Sequence, residues 1–240
     1  RQHRSPVALR PTIASVLSHA RRMAAATEGT VDVTMLDARI AAELGRWPTQ
    51  GGRSAWRLIG GGRRRALFRD GRTRFDLDGV AKGWIADRAL CLLDAYPGAL
   101  VDADGDVAVR SSSSAGWSIA VAHPDDELAE LTRLRVPQGW LTDRFGVATS
   151  GTSVHRWRAP GGPTHHLIDP VTCRPAVTDV VQATVVAEST GLAESLAKSA
   201  VIWGSHDGLE LLARAGAWGA VLLLEDGDLL ATPGTSRWLA

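Results

Sequence analysis

Asp76-Leu77-Asp78-Gly79-Val80-Ala81-Lys82-Gly83-Trp84-Ile85-Ala86-Asp87 is the stretch on which the reading of the chain turns. Before Gly79, Phe75 and Leu77 alternate with Asp76 and Asp78, the period of a half-buried strand. After it, Ala81, Ile85, Ala89, Leu92 and Tyr96 recur at helical spacing. The stretch therefore predicts a strand end, a glycine turn and a helix running on to Pro97-Gly98. Unpaired backbone N–H groups at such a helix start attract anions, phosphate above all. Glycine lets the backbone approach a ligand closely. Taken alone, the pattern is equally that of an ordinary strand-to-helix turn.

The totals bound the possibilities. The chain has 240 residues, 45% of them hydrophobic, enough for one large core or two closely packed lobes. Lys plus Arg is 27 and Asp plus Glu is 26, a net charge of +1. That balance gives no reason to expect nucleic acid or an anionic membrane as partner. No apolar run reaches the length of a membrane span. Cys91 and Cys173 lie far apart, form no zinc pattern and do not fix the redox compartment. The chain begins at Arg1 rather than Met, which leaves open a removed signal peptide or lipid-anchor segment.

Upstream of the opening stretch, residues 11 to about 27 predict a helix. Pro11 suits its first position, and Ile13, Val16, Leu17, Ala20 and Ala24 fall on one face. Leu36, Ile40 and Leu44 mark a second, shorter helix, for which Asp32 reads as the N-cap. Gly51-Gly52 and Gly60-Gly61-Gly62 are breakers, and Arg63 to Arg65 a solvated run. Asp70-Gly71, between Leu67-Phe68 and Arg74-Phe75, is a hairpin signal.

Downstream, Ala99-Leu100-Val101 reads as a short strand. Asp102, Asp104 and Asp106 follow closely, and three carboxylates repel unless solvated or balanced by a cation. Residues 111–115 read as a flexible tip, 117–121 and 131–136 as strands. Thr149-Ser150-Gly151 closes another strand, either as a Ser/Thr turn or as hydroxyls and N–H groups presented to a ligand. After a loop at 160–163 come His165 and His166. A histidine at a strand start is ordinarily a surface or capping residue, yet its pKa suits proton transfer near neutrality. His155, His165, His166 and Cys173 have poor spacing for zinc. Residues 180–187 read as a central strand and 190–203 as a helix with Leu192, Leu196, Ala200 and Trp203 inward. A hairpin through Asp226-Gly227 closes the chain.

Six of these segments resemble motifs of the ApbE family, the FAD:protein FMN transferases. The opening stretch resembles D-L-G-G-I-A-K-G-Y-A-V-D. Residues 27–34 match T-G-G-x-F-D-P-T at Asp32 and Thr34, and residues 102–107 resemble N-x-G-G-D-I, with Asp104 where a Gly usually stands. Residues 148–151 match A-T-S-G. Residues 166–175 resemble H-I-I-D-P-x-T-G-x-P, with Cys173 in place of the usual Gly. Residues 184–204 resemble the family's strand and helix ending in Gly.

The resemblance implies an α+β, T-fold-like domain over residues 1–240, mostly antiparallel sheets with packed helices, lacking the family's N-terminal segment. The hairpins and alternating strands independently favour antiparallel pairing. It implies FAD as substrate, a target protein with an acceptor threonine as partner, and AMP as leaving product. Membrane contact would come only through a missing N-terminal anchor. The compartment stays open between cytoplasm and the extracytoplasmic face of a bacterial membrane. By the same resemblance His166 and Asp106 are the catalytic candidates. Gly79, Val80, Ala81, Lys82, Asp87, Thr149, Ser150, Gly151, His166, Ile168 and Asp169 would bind the flavin nucleotide. Mg²⁺ would rest on the Ala81 carbonyl and on the Asp and Thr of the later helix.

In this chain those last two are Glu194 and Lys198. An ammonium has no lone pair for a metal and repels one. Three readings follow: an exposed i, i+4 pair of no catalytic meaning, Lys198 in the metal's place, or Mg²⁺ held by Glu194 with Lys198 turned away. Besides active transfer, the sequence leaves room for a flavin-binding protein without transfer chemistry and for an FAD pyrophosphatase.

Overall fold

Val180–Ala187 is almost wholly apolar, as a strand covered on both faces must be. In the computed structural model, which describes residues 6–46, 54–62, 64–110, 117–136, 144–159, 162–235 and 239, it lies inside a six-stranded antiparallel sheet. The strands run in the order Leu229–Ala231, Gly219–Leu224, Val180–Ala187, Arg144–Gly151, Asp106–Arg110 and Ala99–Ala103. Alternation sorts their side chains. Ala148, Val185 and Leu222 join one core, and Val147, Val186 and Val221 the other. The second core is closed by the hairpin of Trp117–His123 and Asp126–Val136, through Val121 and Leu134.

α1 (Pro11–Ala26), α3 (Asp78–Cys91) and α4 (Thr190–Arg214) cover the first face, and α2 (Leu36–Glu43) packs apart from it against Ile168 and Cys173. The α+β expectation holds, with the central strand, the Asp104-Gly105 turn and the hairpin through Asp226-Gly227 in place. Gly51-Gly52, Arg63, the tip at 111–115 and residues 160–161 of the expected loop lie outside the described residues. Among the described residues no helix is long and apolar enough to cross a membrane.

Several local expectations are corrected. Residues 73–77 form no strand, and the Asp70-Gly71 hairpin does not close. The Arg69 guanidinium takes the carbonyls of Asp70, Gly71 and Thr73, so this backbone is satisfied by a side chain rather than a ladder. The actual hairpin pairs Trp56–Gly61 with Arg64–Arg69. Helix α3 begins at Asp78, whose N–H bonds Asp76 Oδ1 (3.1 Å), and ends at Cys91, short of Pro97. It buries Val80, Gly83, Ala86 and Leu90, whereas Ile85, Leu92 and Tyr96 are exposed. In α2 the buried positions are Ala38 and Ala42, while Leu44 is exposed. In α1 Ile13 is exposed and Ala14, Leu17 and Ala20 are buried. Small residues share the buried faces with larger ones, Val16, Leu17 and Met23 in α1 and Val80 and Leu90 in α3, and close approach of α3 to α4 is confined to Gly83. Asp32 caps the turn before α2, its Oδ1 accepting from Thr34 N–H and hydroxyl at 2.8 Å each. It does not cap the helix itself.

The helix expected at 190–203 runs on to Arg214, but with a kink at Gly204 (φ 79°, ψ 178°). Asp179 restarts it, accepting from Ser205 N–H (2.9 Å) and hydroxyl (2.5 Å). Trp203 is partly exposed and donates from Nε1 to Thr30 Oγ1 (2.6 Å).

What fixes the centre is the contact between α3 and α4. A Cβ on Gly83 would lie 2.7 Å from Gly191 Cα and from Thr190 O, and one on Gly146 only 2.2 Å from the Thr190 backbone. The start of α4 presses on α3 at Gly83 and on the sheet at Gly146, where no methyl fits. Gly83→Ala is therefore expected to cost more than about 2 kcal/mol by overpacking. Gly105→Ala, at φ 85° in open space, is expected to cost only about 1 kcal/mol. Urea unfolding of the two variants measures the difference.

Candidate active site

The α4 face toward α3 carries Glu194 and Lys198, four residues apart and so on one side of the helix. They dock on the two ends of one turn of α3. Gly83 N–H donates to Glu194 Oε2 (3.0 Å), and Lys198 Nζ donates to Gly79 O (2.8 Å) and to Glu194 Oε1 (2.7 Å). The Glu194 side chain is 1% exposed and that of Lys198 13%. The reading of this pair as an exposed helix-surface bridge is thus overturned. Both carboxylate oxygens are satisfied, which is the condition for a buried ion pair to be tolerated.

Asp87, one α3 turn further on, faces the start of α4. Its two oxygens accept from Thr190 N–H (2.9 Å) and Gly191 N–H (3.0 Å), groups that a helix start leaves unpaired. Ser189 Oγ takes Leu192 N–H (3.3 Å). The buried imidazole of His19 packs beside Gly191, and burial holds its pKa below the ordinary value.

The acidic turn closes the site from the sheet side. Asp104 (φ 59°) and Gly105 (φ 85°) are both left-handed, the geometry of a tight hairpin turn, and Asp is one of the few other residues that accept it. Lys82 supplies the balancing cation. Its Nζ donates to Asp104 O (3.2 Å) and stands 3.4 Å from Asp106 Oδ2. Asp106 is 1% exposed and its Oδ2 receives no hydrogen bond. Burial, then the nearby Glu194 carboxylate, push its pKa up to about 6, against the pull of Lys82 and Lys198.

His166 approaches from the opposite side. It is half-buried, its Nδ1 has no hydrogen-bond partner, and its ring meets that of His155 edge to face at 5.2 Å between centroids. Burial first, then the charges of His155 and Lys198, hold its pKa down to about 4. Its neighbour His165 is structural, with Nε2 at 3.1 Å from Ala176 O and Nδ1 accepting Leu167 N–H.

The structure thus brings Gly79, Lys82, Asp106, His166 and Glu194 together around Lys198. Other expected residues stand back. Val80 is wholly in the core, Ile168 packs with Met35, Ala38, Ala42 and Cys173, and Asp87 holds the start of α4. Thr149 Oγ1 pairs with Thr184 Oγ1 (2.8 Å), and Ser150 and Gly151 lie inside Arg144–Gly151 rather than in a turn beyond it. Asp169 Oδ1 accepts Val171 N–H (2.8 Å) and its carbonyl accepts Cys173 N–H (2.8 Å). Cys173 keeps the left-handed conformation (φ 55°) that its motif asks of glycine. Sequence reasoning missed His155 as a neighbour of His166 and Gly83 as a ligand of Glu194. The glycine's place in the opening motif was the available signal.

A divalent ion does not suit this arrangement. Among the described residues no three His, Cys, Asp or Glu side chains cluster as metal ligands. The ammonium of Lys198 already fills the gap between the Gly79 carbonyl and Glu194, and it has not turned away.

The ApbE family profile matches residues 1–222. The FAD:protein FMN transferase of Treponema pallidum is 28% identical over 176 residues, 67% of this chain and 46% of that protein. The one of Vibrio cholerae is 28% identical over 138 residues, 56% of this chain and 40% of that protein. The chain spans less than half the length of these curated relatives. The solved ApbE protein of Thermotoga maritima superposes with a TM-score of 0.77 at 20% identity, over 99% of this chain and 81% of that one. Flavin transferase ApbE from Vibrio cholerae gives 0.73 at 22% identity, over 98% and 79%. At such identities the likeness is one of fold.

The two shifted groups predict opposite pH effects on stability. Folded Asp106 binds its proton more tightly than the unfolded chain does, so it adds stability as pH falls from about 6 to 3.8. Folded His166 binds its proton more weakly, so it removes stability as pH falls from 6.5 to about 4. Asp106→Asn is expected to raise stability at pH values above 6, by at most about 3 kcal/mol, and not at pH 3.8. His166→Gln is expected to lessen the loss of stability on acidification. Thermal melts of both variants across that range check the signs.

Proposed function

The chain belongs to the ApbE family, and from that premise we propose that it transfers FMN from FAD to a threonine hydroxyl of a target protein. The threonine oxygen attacks the phosphorus of the FMN half. The bond from that phosphorus to the bridging oxygen breaks, and AMP leaves with the bridging oxygen. The hydroxyl proton passes to His166. The observation that carries this reading is an unpaired histidine nitrogen in company with two lysines, each fixed on its own buried carboxyl, Asp106 and Glu194.

Each group has a task in that scheme. His166 is neutral near pH 7, with a ring nitrogen open to accept a proton. Its low pKa makes it a weak base in the empty site. The negative charge of a bound pyrophosphate acts in the opposite sense and raises its basicity. Lys82 neutralises phosphate charge and holds the acidic turn in place. Asp106 takes up a proton more readily than an ordinary carboxyl, so it is less repulsive to an incoming anion. Asp87 and Glu194 act as positioning residues, since each holds backbone of the opposite helix. No step is routed through magnesium. Attachment to a membrane, by a segment outside this chain, belongs to the same proposal.

The test is incubation with FAD and a library of threonine-containing peptides, following flavin fluorescence on peptide and AMP release. Equimolar flavin-peptide and AMP are expected, both abolished when the acceptor threonine is alanine. His166→Ala is expected to slow transfer by about 100-fold or more. AMP and FMN released equally without peptide would replace the transferase reading with a pyrophosphatase. FAD binding with neither product would favour a flavin-binding protein without transfer chemistry.

A further inference from the structure

Lys198 is placed as a ligand-binding cation is placed. A lysine used only for helix-surface pairing stays solvated and samples many rotamers. Here the side chain is 13% exposed and its ammonium is pinned on two acceptors contributed by different helices. An ammonium has three N–H donors. Gly79 O and Glu194 Oε1 take two, and no third acceptor is found among the described residues. The other Glu194 oxygen accepts Gly83 N–H, so the carboxylate does not claim the third N–H of Lys198. The charge of Lys198 acts on both His166 and Asp106, lowering the pKa of each. Lys82 gives a second ammonium on the Asp106 side.

We infer that Lys198 is a built-in monovalent cation that binds a pyrophosphate oxygen of the substrate and makes anion binding in this site independent of divalent metal. The fixed ammonium contributes one full charge and one directed N–H, with no ion to recruit from solution. Glu194 keeps it in place from one side and the Gly79 carbonyl from the other. The inference rests on the reading above only for the identity of the ligand as FAD; its own content is the recognition of a pyrophosphate group.

Calorimetry with FAD and, separately, with inorganic pyrophosphate tests it, each in chelator and in Mg²⁺. Lys198→Met removes the charge at similar length but strands buried Glu194. A Glu194→Gln/Lys198→Met double variant removes both charges and is expected to keep the fold, which a thermal melt checks. The expected result is wild-type binding of FAD and pyrophosphate that chelator does not weaken. Affinity is expected to fall at least about 10-fold in both variants, with no rescue by Mg²⁺. Wild-type binding of either ligand that requires Mg²⁺ overturns the inference. So does FAD affinity unchanged in the folded double variant, which leaves the transferase reading standing. Chelator-resistant pyrophosphate binding that depends on Lys198, without FAD binding, upholds the cation and removes the transferase reading. Binding of neither ligand overturns both.

Discussion

A buried ion pair on one helix reading one backbone turn of another is the constraint from which the rest of this structure follows. Glu194 and Lys198 are spaced i, i+4 on α4, and the groups they reach, Gly79 C=O and Gly83 N–H, are spaced i, i+4 on α3. The match of spacings fixes the two helices in register. A buried carboxylate is tolerated only with both oxygens satisfied, and a buried ammonium only with acceptors. Each therefore depends on the other and on the backbone of α3. Breaking either leaves a largely buried charge without its partner.

That docking demands proximity, and the glycines supply it. Gly83 meets the Thr190–Gly191 backbone where a methyl would overlap it, and Gly191 leaves room for the His19 ring. Asp87 then caps the start of α4 from across the interface, so α3 contributes a carboxylate to α4 while α4 contributes one to α3. The sheet enters through the tight Asp104-Gly105 turn, which brings Asp106 to Lys82. Four elements meet at one point because each offers a charge or a dipole that another element satisfies.

The sequence made the class and the order of elements legible, along with the motif residues that converge, because hairpin signals, helical periods and glycine positions are local. Helix faces were misread for a shared reason. Ile85, Leu92, Leu44 and Ile13 were taken inward by hydrophobicity, yet the positions against the core are Gly83, Ala86, Ala42 and Ala14. Close approach of α3 to α4 at Gly83 selects for small volume, which a hydrophobic pattern does not register. The Asp70-Gly71 hairpin does not form because the guanidinium of the adjacent Arg69 takes the carbonyls that a ladder would use. The role of Asp87 was invisible because its partners lie more than a hundred residues away in sequence.

The site itself is held in a state that its own environment opposes. Asp106 is pushed toward its protonated form and His166 away from its protonated form, largely by burial in each case. Neither shift serves folding near neutrality: the ionised Asp106 costs stability above its raised pKa, and the neutral His166 leaves a buried nitrogen unpaired. On the function proposed above, a phosphate group beside Lys198 adds negative charge and raises both pKa values. Asp106 is then easier to neutralise, and His166 is a stronger base toward a hydroxyl proton. Within that proposal the two shifts prepare the site for an anion.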